Sequence, residues 1–328
     1  MIGLANTKVW VLTDGKTGHE NQSLGLAAAL KVEPSVKFVA PKFPWSKLPP
    51  SLWLSPIRFA DPDGDQLIPP WPEIVIAAGR QTVAPALAIK SASGGRTFCI
   101  QVQDPVSRRN QFDVIAAPRH DGISGENIVE TAGALTGITQ AVLDNASDRF
   151  SGTLATIPKP LVAVLIGGSN GRYRMTEQAT IRLSEGLKRL SAEQKAGLAI
   201  TTSRRTGKEI EALLRKVLTG ASTWIWNGEG ENPYLGLLAL ADAIVVTADS
   251  VSMISEACST GKPVYIAALE GGSVKLNRFH RHLRDRGMTR VFDGTLRSWT
   301  YDPLRDTELV AEEVADRYAT FASTPTAP

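Results

Sequence analysis

A glycine-rich stretch in the second half of the chain has the residue types of a phosphate-binding loop. It follows the continuous apolar run LVAVLI and supplies Gly167, Gly168, Ser169, Asn170 and Arg172. Glycines let backbone amides approach an anion closely, and the arginine adds a positive charge. These residues predict a diphosphate site. The same pattern is also typical of a tight turn whose serine and asparagine cap the next helix.

A second stretch, ADAIVVTADSVSMISEACSTGKPV at 241–264, predicts a strand, a polar turn, a helix and a further strand. Ser250 and Ser252 place hydroxyl groups at the helix start, where phosphate is favoured, and the Glu256 carboxylate one turn further suits a ribose diol. The alternative is that Ser250 caps the helix and Glu256 is a charge near its start. Arg204 and Arg205 follow another strand of this half and add positive charges that can offset those of a diphosphate.

In the first half, the segment DGKTGHENQS lies between a β-rich run and a helix expected at 21–30. An imidazole that titrates near neutrality can take a proton from a hydroxyl within hydrogen-bond reach, so the chemistry of His19 is compatible with a general base. Asp14 is the fallback base. The alternatives are a histidine that caps the helix and a solvated aspartate.

Further polar residues follow the ends of other expected strands and are assigned to the acceptor side of the site. Arg80 is as consistent with an ion pair as with an acidic ligand, and the QDP stretch at 103–105 also favours a simple turn. The acceptor-side candidates are Gly15, Gly18, Arg80, Gln103, Asp104, Asn277 and Arg278. No pair of carboxylates at a strand end indicates a metal site, and no cofactor beyond a donor substrate is expected.

The elements that must position these residues alternate between β-rich and helical runs, which predicts an α/β protein with two Rossmann-like, doubly wound parallel sheets. We expect an N-terminal domain at 1–150 and a C-terminal domain with five strands at 151–305. A linker is expected at 144–159, a closing helix that can pack back on the first domain at 306–322, and a frayed tail at 323–328. The Pro- and Trp-rich segment 41–72 predicts an ordered surface insertion acting as a functional loop.

Composition limits the partners of the 328-residue chain, which is 43% hydrophobic and 21% charged with a net charge of +3. This balance is typical of a globular protein and does not require nucleic acid as a partner. No apolar run approaches the roughly 20 residues that span a bilayer. We therefore expect a cytoplasmic protein, with a peripheral position at the inner face of a membrane as one possibility.

Three family resemblances bear on these residues. The 241–264 segment resembles the nucleotide-binding helix of B-type glycosyltransferases, whose two Rossmann-like domains face a cleft. The loop ending in His19 looks like that of the peptidoglycan lipid-intermediate N-acetylglucosaminyltransferase. The chain also resembles the plant elongated-mitochondria fission factor and its bacterial homologues from Val9 to about Leu283. The motifs that carry this resemblance are DGKTGHENQSLGL, AAGRQTVAPALAI, IQVQDP and FDVIAAPRHDG.

The resemblances imply a metal-independent, hexosyl-type glycosyltransferase. The C-terminal domain would bind a nucleotide sugar of unidentified base, and the sugar would pass in the cleft to a lipid or glycan acceptor. Two alternatives stay open. One is an epimerase of nucleotide sugars on the same scaffold, and the other is a catalytically silent interaction protein of the fission-factor family.

Overall fold

The computed structural model describes residues 4, 7–58, 64–219 and 222–324. The strands are β1 (Val9–Thr13), β2 (Ser35–Phe38), β3 (Ile74–Ala78), β4 (Phe98–Val102), β5 (Val114–Pro118), β6 (Ile128–Thr131), β7 (Leu161–Ile166), β8 (Tyr173–Arg174), β9 (Gly197–Thr202), β10 (Thr223–Ile225), β11 (Ala243–Thr247), β12 (Val264–Ala267), β13 (Glu270–Gly271) and β14 (Thr289–Val291). The helices are α1 (Thr17–Ala29), α2 (Arg80–Ala92), α3 (Gln140–Leu154), α4 (Glu177–Gln194), α5 (Lys208–Val217), α6 (Tyr234–Leu240), α7 (Val251–Cys258), α8 (Val274–Asp285) and α9 (Asp306–Ser323).

The chain forms two compact units, one of residues 1–137 with 305–328 and one of residues 138–304. The linker expected at 144–159 is wrong over most of its length, because α3 occupies it. The Thr139 hydroxyl accepts a hydrogen bond from the Val142 amide and starts this helix. Leu143 and Phe150 are buried on one face of the helix, so its Asn, Ser and Asp residues form the solvent face rather than a loop.

The first unit contains a parallel sheet with the strand order β2-β1-β3-β4-β5-β6. Alternate residues of each strand point to opposite faces, so Val11 packs into one apolar layer and Leu12 into the other. Because both faces are covered, β1, β3, β4 and β5 are buried throughout, and the sequence shows them as continuous apolar runs. The strand order reverses between β1 and β3.

Helix α9 returns at the end of the chain to the sheet of the first unit. Its Val310, Val314 and Tyr318 side chains are buried in the same apolar cluster as β1 and β3. The ring of Tyr318 meets Phe98 edge to face, with centroids 5.6 Å apart. The Asp306 carboxylate accepts a hydrogen bond of 2.7 Å from the Gly133 amide at the helix start. The last residues of the expected frayed tail, 325–328, lie outside the described part of the chain.

The second unit contains a parallel sheet with the strand order β10-β9-β7-β11-β12-β14. Five strands were expected here, and the omitted sixth is β14, which is short and has two exposed residues, so it carries little apolar signal. Strands β8 and β13 form a separate two-stranded antiparallel sheet. The prediction of two doubly wound parallel sheets is confirmed, and here the order reverses between β7 and β11.

The insertion expected at 41–72 has little regular structure. Pro50–Leu52 forms one 3₁₀ turn, and residues 59–63 lie outside the described chain. Within the described residues, the helices that exist are too short or too polar to cross a bilayer.

Candidate functional site

The site of the second unit lies where its strand order reverses. In open parallel sheets, ligands bind outside the carboxyl ends of the strands at such a reversal. The glycine-rich loop follows β7, and α7 follows β11, so the two predicted donor stretches are neighbours. Hydrogen bonds join them: the Gly167 amide donates to Thr247 Oγ1 at 2.8 Å, and the Gly168 amide donates to Asp249 Oδ2 at 3.1 Å.

Asp249 is the centre of this contact, and its side chain is fully buried. Its carboxylate also accepts hydrogen bonds from Thr247 Oγ1 at 2.6 Å and from Arg205 Nη1 at 2.8 Å. A buried carboxylate is tolerated when several donors replace its water. Sequence reasoning missed Asp249.

The two leading glycines are required by close packing inside the protein. A Cβ atom on Gly167 would lie 2.3 Å from Asp249 Oδ2, and one on Gly168 would lie 2.2 Å from the carbonyl oxygen of Arg205. Both distances are far below van der Waals contact. The glycines therefore let the loop close over Asp249, which fixes the course of the backbone after β7.

The polar side chains of the loop mostly form hydrogen bonds with backbone groups of the loop and of its neighbours. Ser169 Oγ accepts a hydrogen bond from the Met175 amide at 3.0 Å. Asn170 Oδ1 accepts from the Arg172 amide at 2.8 Å, and its Nδ2 donates to the Asp249 carbonyl at 3.2 Å. For Ser169 and Asn170 the turn-forming alternative fits these contacts. Arg172 is exposed and presents its guanidinium to solvent.

Helix α7 begins at Ser250, whose hydroxyl accepts a hydrogen bond of 3.4 Å from the Met253 amide and so caps the helix. Ser252 is half-buried in the first turn. Further along, the Tyr234 hydroxyl donates a hydrogen bond to the carboxylate of Glu256. Burial raises the pKa of Glu256 to about 7, although the hydrogen bond from Tyr234 opposes that rise. This carboxylate changes charge near neutral pH.

Lys262, in the Gly-Lys-Pro stretch after α7, stabilises the end of helix α6. Its ammonium donates to the carbonyl oxygens of Leu238, at 2.8 Å, and of Ala239. These are carbonyls of the last turn of α6, which have no partner within the helix. Burial lowers the pKa of Lys262 to about 8.

Three cationic or ionisable groups complete the surroundings of the loop. Arg204 and Arg205 are both exposed, and the guanidinium of Arg205 binds the Asp249 carboxylate. His280 Nε2 lies 3.0 Å from the Ala248 carbonyl, in the turn between β11 and α7, and burial lowers the pKa of His280. Asn277 and Arg278, expected on the acceptor side, are exposed residues of α8 in the second unit.

The first unit has a corresponding site at its own strand reversal, between β1 and β3. Helix α1 starts at Thr17, so the expected loop is shorter than predicted and His19 lies in the first helical turn. His19 packs against Gly79, which follows β3: a Cβ atom there would lie 2.4 Å from the imidazole. The two strand ends are thereby joined through the imidazole ring.

Asp14 orients this histidine. His19 Nδ1 lies 3.0 Å from Asp14 Oδ1, and the ammonium of Lys16 binds the other oxygen. Burial alone would raise the pKa of Asp14, but the hydrogen bonds from His19 and Lys16 outweigh it and hold the pKa at about 2. Such a carboxylate is a weak proton acceptor. These contacts indicate that Asp14 orients His19, and they argue against Asp14 as the fallback base.

The remaining acceptor-side candidates make local contacts. The Gly15 amide donates to Thr13 Oγ1 at 3.1 Å, and the Gly18 carbonyl accepts from Gln22 at 2.7 Å. Arg80 donates to the Ser46 carbonyl at 2.9 Å.

The loop after β4 holds the last two candidates. Asp104 forms a bidentate pair with Arg109, with both distances 2.8 Å, and the Gln103 amide donates to the Ala116 carbonyl at 2.8 Å. These bonds account for the turn that proline also favours. Across the described residues, no group of three or more His, Cys, Asp or Glu side chains is arranged to hold a metal ion.

Comparison with known proteins establishes the family. Residues 17–318 match the family model described as Mitochondrial fission ELM1. The chain belongs to this family. The resemblance found in the sequence motifs is thus confirmed, and the match includes His19, the glycine-rich loop and α7.

Two relatives illustrate the range of the family. The mitochondrial fission protein ELM1 of Arabidopsis thaliana is 37% identical over 270 residues, which are 74% of this chain and 63% of that protein. The chain thus spans less than two thirds of the length of that relative. An uncharacterized protein of Rickettsia prowazekii is 29% identical over 344 residues, covering 93% of this chain and 96% of its own.

Solved structures share the fold at low identity. The UDP-GlcNAc 2-epimerase of Methanocaldococcus jannaschii, in complex with UDP-GlcNAc and UDP, is 11% identical, with a TM-score of 0.54 over 94% of this chain and 99% of the other. The UDP-GlcNAc 2-epimerase of Neisseria meningitidis, bound to UDP-GlcNAc, is 12% identical, with a TM-score of 0.50 over 98% and 95%. The fold of the chain is therefore the B-type architecture that these enzymes share.

Proposed function

We propose that the second unit binds the nucleoside diphosphate of a nucleotide sugar and that the chain transfers the sugar to a lipid or glycan acceptor. One observation carries the proposal. The loop after β7 and the start of α7 are tied together through buried Asp249 at the strand reversal. This is the position at which open α/β sheets bind nucleotides.

The donor would be held by groups at the rim of this loop. The first turn of α7, with Ser252, offers amides and a hydroxyl to the diphosphate, and the exposed Arg172 and Arg204 offer cations. Glu256 would accept hydrogen bonds from the ribose hydroxyls. In that complex the ribose competes with Tyr234 for the carboxylate.

The acceptor would be activated by His19 of the first unit. The Asp14 carboxylate accepts the hydrogen of Nδ1, so Nε2 carries the lone pair. His19 Nε2 takes the proton of the acceptor hydroxyl as its oxygen bonds to the anomeric carbon. The bond from that carbon to the diphosphate oxygen breaks, and the diphosphate leaves with the electron pair, stabilised by the arginines and helix amides.

A second candidate is a catalytically silent interaction protein. The contacts of Ser169 and Asn170 within the loop, and of Tyr234 with Glu256, favour it, because these side chains already have partners. Both candidates keep the nucleotide site. Only the first requires turnover.

The first experiment measures binding by calorimetry. UDP, GDP, ADP, CMP and their common sugars are titrated into the wild type, Glu256→Gln and the control Glu185→Gln, which alters an exposed glutamate of α4. We expect one nucleotide to bind the wild type and the control equally and Glu256→Gln about tenfold more weakly. Because the pKa of Glu256 is about 7, the wild-type affinity should fall as the pH drops from 8 to 6. Absence of binding by every nucleotide would contradict the proposal.

The second experiment separates transfer from binding. His19→Ala should reduce turnover by about 100-fold or more and leave nucleotide affinity unchanged, because general base catalysis typically contributes that much. Unchanged turnover in His19→Ala would exclude its role as the base. Product formed without any acceptor would indicate an epimerase, and binding without turnover would indicate the silent protein.

A further inference from the structure

The insertion after β2 exposes large apolar side chains on the first unit. Phe43 is 83% exposed, Leu52 59% and Leu54 70%, and Val106 in the loop after β4 is 69% exposed. Single exposed apolar residues are common on proteins, but a group of them on adjoining loops indicates an interaction surface. We call these four side chains the apolar patch.

Hydrogen bonds hold the patch in this outward arrangement. Arg80, at the start of α2, donates to the Ser46 carbonyl at 2.9 Å, and Arg108 donates to the Ser51 carbonyl at 3.0 Å. The second bond fixes the Val106 loop beside the insertion. Trp53, between Leu52 and Leu54, is buried. Because Trp53 anchors the segment inward, its two leucine neighbours are held outward.

Most of the described charges around the patch are positive, and the carboxylate of Asp104, beside Val106, is paired with Arg109. Residues 41–58 contain Lys42, Lys47 and Arg58 and no aspartate or glutamate. The guanidinium groups of Arg80 and Arg108 bind neutral carbonyl oxygens, which do not cancel their charges. Exposed apolar side chains bordered by cations are typical of a surface that binds a lipid bilayer with an apolar interior and anionic headgroups.

We propose that the apolar patch docks the chain on the surface of an anionic lipid bilayer. Phe43, Leu52, Leu54 and Val106 enter the boundary between headgroups and acyl chains, and the surrounding basic groups face the lipid phosphates. This chemistry favours an anionic bilayer over a protein partner, because an apolar protein surface would not by itself require the neighbouring cations. The inference does not depend on sugar transfer, because none of the four apolar side chains is proposed to bind a nucleotide or to react.

The test is sedimentation of the full chain with vesicles of phosphatidylcholine alone or mixed with phosphatidylglycerol. We expect binding to the mixed vesicles that weakens as ionic strength rises. The double variant Phe43→Ser/Leu54→Ser should bind about tenfold more weakly, and so should Lys47→Glu. The matched controls are Val274→Ser, which is 69% exposed on α8, and Lys188→Glu, an exposed residue of α4. Both should bind like the wild type.

Thermal unfolding of each variant shows whether it is folded, so a loss of binding is assigned to the surface only where folding is intact. Equal binding to neutral and mixed vesicles, or an unchanged affinity of the folded double variant, would overturn the proposal. Failure of the wild type to bind either vesicle would also overturn it. A wild-type dimer in sedimentation velocity that the double variant abolishes would instead assign the patch to self-association.

Discussion

The two units use a buried aspartate at the strand reversal in different ways. In the first unit, Asp14 lies in the loop itself and binds two nearby side chains, His19 and Lys16. In the second unit, Asp249 comes from another strand end and binds the backbone amide of Gly168 together with Arg205. Both carboxylates are fully buried. One carboxylate therefore orients a reactive side chain, and the other shapes a backbone loop.

This difference is compatible with the two tasks of the proposed sugar transfer. A donor nucleotide is recognised largely by amides and fixed charges, so its loop must be rigid. An acceptor hydroxyl needs a base with a defined tautomer, so its loop must orient one ring. We therefore expect changes at Asp249 to affect nucleotide affinity and changes at Asp14 to affect turnover.

The largest effect is expected for Asp249→Asn. The amide cannot accept all three hydrogen bonds and leaves Arg205 without its counter-charge, so the free energy of unfolding should fall by about 3 kcal/mol. Nucleotide affinity should fall about 100-fold because the loop after β7 loses its anchor. Chemical denaturation and calorimetry measure the two quantities. Asp302→Asn, at an exposed position, is the control and should alter neither. Wild-type affinity in a folded Asp249→Asn variant would refute the role of the loop.

A smaller effect on stability is expected for Asp14→Asn, together with a loss of turnover and an unchanged nucleotide affinity. The pKa of Asp14 is lowered from 3.8 to about 2, and because its partner Lys16 is exposed and the pair is screened by solvent, the carboxylate stabilises the folded state by about 1 kcal/mol above pH 4. That contribution is lost as the pH falls through 2. Denaturation from pH 7 to pH 2 should therefore show the stability difference from wild type shrinking towards zero. A difference that stays constant down to pH 2 would contradict this explanation.

The same contrast explains how much the sequence could predict. Runs such as LVAVLI predicted β7 because parallel strands buried on both faces are continuously apolar. The contact of Asp14 with His19 joins residues five positions apart, so one local motif contained both candidates, although their contact was not predicted. The contact of Asp249 with Gly168 joins residues 81 positions apart. No local pattern encodes such a pairing, and it becomes visible only when the strand order is known.

Helix α3 illustrates the opposite error. Its Asn, Ser and Asp residues predicted a linker, but Phe150 packs so closely on α6 that a Cβ atom on Gly236 would lie 2.5 Å from the ring. Local propensity was outweighed by burial of one face of the helix. The partner that decides the outcome, α6, is again distant in sequence.

The smallest effect is expected for Lys262→Met. This variant tests whether Lys262, a polar residue near α7, contributes to nucleotide binding. Removing the ammonium leaves the carbonyls of Leu238 and Ala239 without this donor, so the free energy of unfolding should fall by about 1 kcal/mol at pH 7. Nucleotide affinity should not change. Because burial lowers the pKa of Lys262 from 10.5 to about 8, the wild type should gain stability relative to the variant as the pH rises between these values. A tenfold loss of affinity without a change in stability would instead make Lys262 part of the nucleotide site, and the second unit would then bind its ligand through side chains as well as backbone.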